Sequence, residues 1–286
     1  MMLKRLKIYA SFVRFSHSVF ALPFALTGSL LATTNSKLSL VVIGWVLVAM
    51  VSARTAAMGF NRLVDADIDA LNPRTRAREL PLGVISRTEA LTLVVVSAVT
   101  FVAVCAQLSL ICLALSPVAL AIVFWYSLAK RYTTYSQFFL GLAMAVAPVG
   151  GWLAVGGRAG WEPWILGLAV GTWVGAFDIL YACQDVNFDR RHGLRSIPVR
   201  FGIQHSLLMS RGLHIVTVVA LAALAVVSPL GPLYLGGVCG VAVLLAYEQS
   251  LVSARDLSRV KRAFDLNGYV GIFYLTMTAL ALYVHE

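Results

Sequence analysis

The chain has 286 residues, of which 59% are apolar and only 13% are charged, and its formal net charge is +10. A soluble domain carries about 25% charged residues, so this composition excludes an ordinary soluble protein. Apolar stretches of roughly 17–25 residues are long enough to cross the hydrocarbon core of a bilayer. The sequence therefore predicts a protein embedded in the lipid bilayer, and it offers no support for nucleic-acid binding.

Nine apolar segments of this length follow one another along the chain. They cover residues 16–35, 38–60, 89–107, 109–128, 137–156, 162–184, 205–227, 231–253 and 266–284. The third and fourth segments are joined by almost nothing around residues 107–109. We predict an all-α, polytopic membrane protein whose residues 1–286 form a single domain, because no low-complexity linker or soluble domain interrupts the spans.

The basic residues predict the orientation of these spans. If the N-terminus is inside the cell, all but four of the 23 Lys and Arg residues lie in the inside segments. The four exceptions are Lys37, Arg54, Arg158 and Arg211. Because Lys and Arg concentrate in cytoplasmic loops, we predict that the N-terminus and the longest connections are cytoplasmic, in the inner or plasma membrane of the cell.

An acidic cluster follows the second span. On a helix, Asn61, Asp65 and Asp69 are spaced at i, i+4 and i+8 and form one stripe, whereas Asp67 points elsewhere. Like charges at this spacing repel one another unless a cation lies between them, and oxygen ligands suit Mg²⁺. The stripe therefore predicts a metal site, with a solvated helix end as the alternative interpretation.

A second acidic cluster follows the sixth span. Asp178, Asp185 and Asp189 are spaced at i, i+7 and i+11, which places them on one face of a helix. Asp178 is two turns deeper in the span, where a carboxylate is costly and marks a functional site by default. A structural hydrogen bond to a neighbouring helix is the alternative. An even number of spans separates the two clusters, so both face the same side of the membrane and could share one cavity.

Basic and aromatic residues lie near both clusters. Arg74 and Arg78 follow the end of the second helix, and guanidinium groups suit phosphate or carboxylate ligands. Lys130 comes four residues after Tyr126, so both project from one face at the inner end of the fourth span. Anchoring at the membrane surface is the alternative role for Lys130, as it is for Arg14 beside the first span.

In this order, the motifs resemble the UbiA superfamily of intramembrane prenyltransferases. The resemblance covers the whole chain, with nine spans, NxxxDxxxD after the second, YxxxK after the fourth and a DxxxD pair after the sixth. The flanking segments Asn-Pro-Arg-Thr and Gly-Leu-Arg-Ser-Ile-Pro-Val-Arg-Phe-Gly match as well. The resemblance implies a bundle of nine transmembrane helices around one cavity, built as two four-helix halves plus one helix.

The resemblance also implies a role for each candidate site residue. Two Mg²⁺ ions would bridge the donor diphosphate to a metal site formed by Asn61, Asp65, Asp69, Asp185 and Asp189. The substrate-binding residues would be Arg14, Arg74, Arg78, Lys130 and Asn61, with Arg14 pairing with a carboxylate of the acceptor. The catalytic residues would be Lys130, Tyr126, whose ring stabilises an allylic cation, and Asp178, which orients or deprotonates the acceptor.

The implied reaction is the Mg²⁺-dependent transfer of a polyprenyl group from an allylic diphosphate to an aromatic phenolic carboxylate. The segments around Arg54 and Asp178 resemble 4-hydroxybenzoate-polyprenyltransferase-like members of the family, in particular the futalosine-route menaquinone branch. The resemblance therefore implies 4-hydroxybenzoate or 1,4-dihydroxy-6-naphthoate, of ubiquinone and menaquinone biosynthesis, as the acceptor. The apolar donor tail would leave sideways into the bilayer, and no obligate protein partner is implied. The alternative class is a cation-coupled secondary transporter, which predicts acids near the bilayer midplane on interrupted helices.

Overall fold

The structure is a computed structural model that describes residues 2–14, 21–34, 39–157 and 159–284. These residues form helices and connecting loops, and no strand occurs among them. The α-helices are α1 (Met2–Phe12), α2 (Leu22–Leu31), α3 (Leu40–Leu71), α4 (Arg87–Leu108), α5 (Leu110–Tyr132), α6 (Ser136–Ala154), α7 (Glu162–Ala182), α8 (Val186–Arg191), α9 (Ile197–Val227), α10 (Gly231–Ser250) and α11 (Val260–Val284). Short 3₁₀ helices follow α2 at Ala32–Thr34 and α7 at Cys183–Asp185.

The all-α, polytopic membrane fold predicted from the sequence is confirmed. Eight helical segments of the described chain are long and apolar enough to cross a bilayer, and they correspond to the second to ninth predicted spans. The first predicted span, 16–35, is represented by the ten-residue helix α2, and both ends of that span lie outside the described residues. The predicted count of nine is therefore approximate.

Serine side chains cap several of these helices and fix where they begin. Ser109 is the single residue between α4 and α5, and its Oγ accepts a hydrogen bond from the backbone N–H of Cys112 at 3.1 Å. Ser86 forms a capping box with Glu89 at the start of α4. The cap at Ser109 explains why the third and fourth predicted spans have almost no connection.

Helix α3 carries the first acidic cluster beyond the bilayer core. Its 32 residues measure about 48 Å at 1.5 Å per residue, whereas the hydrocarbon core is about 30 Å thick. The helix ends at Leu71 because Asn72, which precedes Pro73, adopts an extended conformation. The acidic cluster therefore lies at the end of α3, where water and charged substrates have access.

Small residues let α6 pack closely against its neighbours. A Cβ atom added to Gly141 would lie 2.3 Å from the carbonyl oxygen of Gly171 on α7, and one added to Gly151 would lie 2.0 Å from that of Ala25 on α2. Such close backbone approach is typical of helix interfaces in membranes, where van der Waals packing drives association. Helix α6 is thereby held between α2 and α7, and part of its surface lines a cavity.

Candidate active site

Both acidic clusters lie at the end of the bundle where α3, α5 and α7 terminate, which we call the polar end. The loop 72–86, which follows α3, runs across this end and carries Arg74 and Arg78. A hydrogen bond from Arg74 to Asp185 links the loop after α3 to the segment after α7. The fold therefore brings together two clusters that are more than 100 residues apart in the chain.

Asp65 is the most enclosed acid of the first cluster. Its side chain is 4% exposed, and it pairs with Lys130 through Oδ2 and with Nη2 of Arg131 through Oδ1 at 3.1 Å. Both cations come from the last turn of α5. The ion pairs fix the end of α5 against α3 and leave Lys130 partly exposed beside the buried carboxylate.

Asp69 and the loop that follows it hold Arg78 in place. Arg78 Nη1 donates a hydrogen bond to Asp69 Oδ2 at 2.6 Å. Thr75, which is 2% exposed, donates through Oγ1 to the carbonyl oxygen of Asp69 at 3.1 Å, and Asn72 Oδ1 accepts from the backbone N–H of Arg74 at 2.9 Å. These local bonds shape a turn that directs both arginines towards the carboxylates.

Arg74 makes the contact between the two clusters. Its guanidinium donates to both carboxylate oxygens of Asp185, at 2.5 and 3.1 Å, and to the hydroxyl of Tyr181 at 3.0 Å. Burial lowers the pKa of Arg74, but its hydrogen bonds with Asp185 and the charge of that residue outweigh the effect and raise its pKa overall. The arginine therefore stays charged, as a ligand for phosphate must be.

The spacing predicted that the second cluster lies on one face of a single helix. In the structure the cluster is divided between two helices. Helix α7 ends at Ala182, and a 3₁₀ turn over Cys183–Asp185 separates it from α8. A 3₁₀ turn advances by three residues per turn instead of 3.6, so the register of α7 is not carried into α8. Asp178 therefore lies on α7 and Asp189 on α8, both half-buried.

Asp178 and Asn61 have no polar partner within the described chain. No hydrogen bond or ion pair in the ranges 2–14, 21–34, 39–157 and 159–284 involves either side chain, and both are half-buried. Asp178 nevertheless lies close enough to Lys130 and Asp185 to interact with their charges. A polar side chain without a partner at this depth is available for a ligand.

Asp67 and Arg14 lie apart from these contacts. The Asp67 side chain is 82% exposed and pairs with Arg87 on the outer surface of the helix, as its position off the stripe predicted. Arg14 is exposed at the end of α1, and among the described residues its side chain has no hydrogen-bond or ion-pair partner. Arg14 and Asp69 both lie close enough to Arg62 to interact with its charge, so Arg14 is near the first cluster without an ion pair to it.

The side chains of the polar end are suitable ligands for Mg²⁺. Its candidate ligands are carboxylate and amide oxygens, which are the hard ligands that Mg²⁺ takes, usually one or two carboxylates at a time together with substrate phosphates. In the described chain no three acidic, His or Cys side chains converge on one point, and Asp65, Asp69 and Asp185 are each paired with a cation. A complete metal site would therefore include oxygens from the substrate.

A largely apolar cavity of about 660 Å³ lies in the bundle, and Tyr126 in its wall is close enough to Asp65 and Asp178 to interact with their charges. Helices α2 to α7 line it, with the opposite end of the bundle reached at Leu108 and Cys112. Tyr126 and Arg54 are polar members of its wall. The cavity can accept a long apolar molecule whose charged head remains beside the carboxylates.

Four residues at or near the site were given no role by the sequence. Arg131 and Tyr181 contact Asp65 and Arg74, while Arg54 and Arg62 have buried guanidinium nitrogens without a hydrogen-bond partner in the described chain. The position of Arg54 within an apolar span was a sign of a functional role, and the structure shows that Arg54 lines the cavity. Nothing in the local pattern distinguished Arg131 and Tyr181 from ordinary residues of the membrane surface.

A model of the UbiA prenyltransferase family matches residues 21–277 of the chain. The 4-hydroxybenzoate octaprenyltransferase of Vibrio parahaemolyticus is 33% identical over 219 residues, which cover 77% of this chain and 77% of that protein. The protein of the same name from Cronobacter sakazakii is 30% identical over 241 residues and covers 83% of each chain.

Solved structures share the same fold. The apo structure of a UbiA homolog from Aeropyrum pernix K1 has a TM-score of 0.84 and 33% identity, covering 94% of this chain and 98% of that one. A UbiA homolog from Archaeoglobus fulgidus bound to DMAPP and Mg²⁺ has a TM-score of 0.70 at 20% identity, and the match covers 95% of this chain and 99% of that one. These matches confirm the resemblance inferred from the motifs. The chain belongs to the UbiA prenyltransferase family.

Proposed function

We propose that this enzyme transfers a polyprenyl group from an allylic polyprenyl diphosphate to an aromatic phenolic carboxylate in an Mg²⁺-dependent reaction. The observation that carries the proposal is an apolar cavity whose wall includes Tyr126, a residue close enough to Asp65 and Asp178 to interact with their charges. A diphosphate with an apolar tail matches both parts of this site at once. The transporter alternative has no support, since the family match is to prenyltransferases and the paired acids lie at one end of the bundle.

The polar end would bind the diphosphate. Arg74, Arg78 and Lys130 would donate to phosphate oxygens, and their present carboxylate partners would be released to hold metal together with Asn61 and Asp189. Mg²⁺, when bound, neutralises negative charge on the diphosphate and so makes it a better leaving group. The ion pairs thus keep both sets of charges in position in the absence of substrate, which limits the reorganisation needed on binding.

The reaction would break the allylic C–O bond and form a C–C bond to the acceptor ring. The electron pair of the broken bond leaves with the diphosphate, and the ring carbon that is attacked then loses its proton. The Tyr126 ring, which lines the cavity, would stabilise positive charge on the allyl group by a cation–π contact of about 2 kcal/mol when desolvated. The apolar wall would exclude water from that cation.

We assign the acceptor carboxylate to Arg54 instead of the exposed Arg14. Arg54 lines the same cavity as Tyr126, and its Nε is buried without a hydrogen-bond partner among the described residues. A buried guanidinium without a carboxylate partner favours an anionic ligand. Asp178, also unpaired, would orient the phenol or take its proton. The relatives named 4-hydroxybenzoate octaprenyltransferase favour 4-hydroxybenzoate over 1,4-dihydroxy-6-naphthoate.

The test is an assay of purified protein in lipid nanodiscs with octaprenyl diphosphate, Mg²⁺ and each of the two acceptors. We expect a prenylated product, identified by its mass, with 4-hydroxybenzoate, and no product in the presence of a chelator. Arg54→Gln is expected to raise the KM for the acceptor by about 10-fold or more with the KM for the donor unchanged, because a charge-assisted hydrogen bond is lost. Full turnover in the presence of a chelator would contradict the metal assignment. A change in Arg54→Gln that is confined to the KM for the donor would contradict the assignment of Arg54 to the acceptor.

A further inference from the structure

We propose that Gly150 sets the length of prenyl chain that the cavity admits. The inference rests on the proposed function, in which the tail of the donor occupies the cavity. Gly150 lies on α6 and belongs to the cavity wall. At this position the wall has no side chain, and open space, rather than a neighbouring helix, lies opposite the backbone.

The two adjacent glycines of α6 differ in what they face. A Cβ atom added to Gly151 would lie 2.0 Å from the carbonyl oxygen of Ala25, so Gly151 is required for packing against α2. A Cβ atom added to Gly150 would meet no other atom within 4 Å. Helix packing therefore explains Gly151 but not Gly150, although glycine costs about 1 kcal/mol relative to alanine inside a helix.

The depth of Gly150 indicates which part of a donor would pass it. Gly150 is 14 residues along α6 from Ser136 at the polar end, which corresponds to about 21 Å of helix axis at 1.5 Å per residue. Beyond Gly150 the wall is formed by small and medium side chains, namely Ala25, Val46, Cys105, Cys112 and Ala154. A short prenyl chain bound at the carboxylates would end before Gly150, whereas a long one that follows the cavity wall would reach it.

A branched side chain at position 150 would therefore act selectively. It would fill open space in the wall without disturbing a helix interface, so the polar end would keep its geometry. Because the interior is closely packed around any bound chain, added carbon atoms would exclude the distal isoprene units of a long donor. The discrimination would depend on the length of the tail and not on its reactive head.

The experiment compares Gly150→Leu with the wild-type protein using geranyl and octaprenyl diphosphates. We expect the rate with geranyl diphosphate to be unchanged and kcat/KM with octaprenyl diphosphate to fall by about 10-fold, which is about 1.4 kcal/mol. The control is Gly236→Leu on α10. Gly236 is exposed, also has no atom within 4 Å of an added Cβ, and does not line the cavity, so both donors should react normally.

Three results bear on the assignment. An equal loss with both donors, or no loss with either, would overturn the role of Gly150. If the wild-type protein transferred neither tail, the proposed function itself would fail, and the assignment with it. Gly150→Ala, which adds one methyl group, is expected to give a smaller fall in the same octaprenyl-to-geranyl ratio, and it maintains the comparison if the leucine variant does not fold.

Discussion

At the scale of single residues, Asp65, Asp69 and Asp185 are each neutralised by a basic partner. Asp65 is held by Lys130 and Arg131, and Asp185 by Arg74. Removal of one partner of a buried ion pair is costly because the remaining charge stays in a medium of low polarity. These pairs therefore stabilise the polar end in the absence of ligand while keeping charges available for a diphosphate and its metal.

We expect Asp65→Ala and Asp185→Ala each to lower turnover by about 100-fold or more, because metal ligation contributes several kcal/mol of transition-state stabilisation. Asp67→Ala is the matched control, since Asp67 lies on the same helix with its side chain 82% exposed and directed away from the stripe. Turnover is measured in the prenyl-transfer assay, and folding is checked by size-exclusion chromatography. Equal losses in the Asp65 and Asp67 variants would contradict the assignment of one functional face of α3.

At the scale of helices, α7 is the central element of the bundle. Among the predicted spans its 18-residue apolar window has the largest buried share, 61%. Trp173 on this helix is 1% exposed, and its Nε1–H donates to Oδ1 of the fully buried Asn267 on α11 at 2.7 Å. A polar group in the hydrocarbon region needs an internal partner because water is absent there. The bond therefore fixes α11 against α7, behind the wall of the active site.

Asn267→Leu is expected to lower the free energy of unfolding by about 1–3 kcal/mol, because it leaves the indole N–H of Trp173 buried without an acceptor. The measurement is thermal or denaturant unfolding in detergent micelles. Thr276→Ala on the same helix is the control, since Thr276 is exposed and its hydroxyl bonds only to the carbonyl of Ile272. In a Trp173→Phe background, Asn267→Leu should lower the free energy of unfolding by a smaller amount. An equally large loss in that background would rule out the interhelical hydrogen bond as its cause.

At the scale of the whole molecule, charge distribution defines how the bundle sits in the bilayer. Large apolar side chains are exposed along the spanning helices, for example Val226 at 86%, Leu110 at 81% and Val99 at 63%, as expected for a surface that contacts lipid. The polar end instead carries arginines, such as Arg190 and Arg191 on α8 and Arg195 in the loop that follows it. By the positive-inside rule, the polar end should face the cytoplasm.

The orientation is tested by labelling single cysteines with a membrane-impermeant maleimide. Arg191→Cys lies at the polar end and Ala159→Cys in the connection between α6 and α7, and both positions are exposed. Cys239 is replaced by Ala beforehand, since Cys105, Cys112 and Cys183 are buried. We expect label at position 159 in intact cells and at position 191 only in inside-out vesicles. The reverse pattern would show that the active site faces outward.

The sequence by itself determined the class of the fold and much of the site. Runs of apolar residues identified the second to ninth spans, because the free energy of transfer into lipid depends on composition and length alone. The stripe of Asn61, Asp65 and Asp69 was also predicted, because all three lie within one unbroken helix whose period is fixed by local hydrogen bonds. The second cluster was less predictable, since a 3₁₀ turn interrupts the helix between Asp178 and Asp189.

Only the tertiary structure decided which residues meet. The pairing of Arg74 with Asp185 joins positions 111 residues apart, and the lining role of Arg54 depends on five other helices that line the same space. Gly150 and Gly151 are identical neighbours in the sequence, yet one faces a cavity and the other a backbone carbonyl. Local pattern gives the direction of a side chain relative to its own helix. What lies in that direction is determined by how the helices pack, through contacts between segments that are distant in the chain.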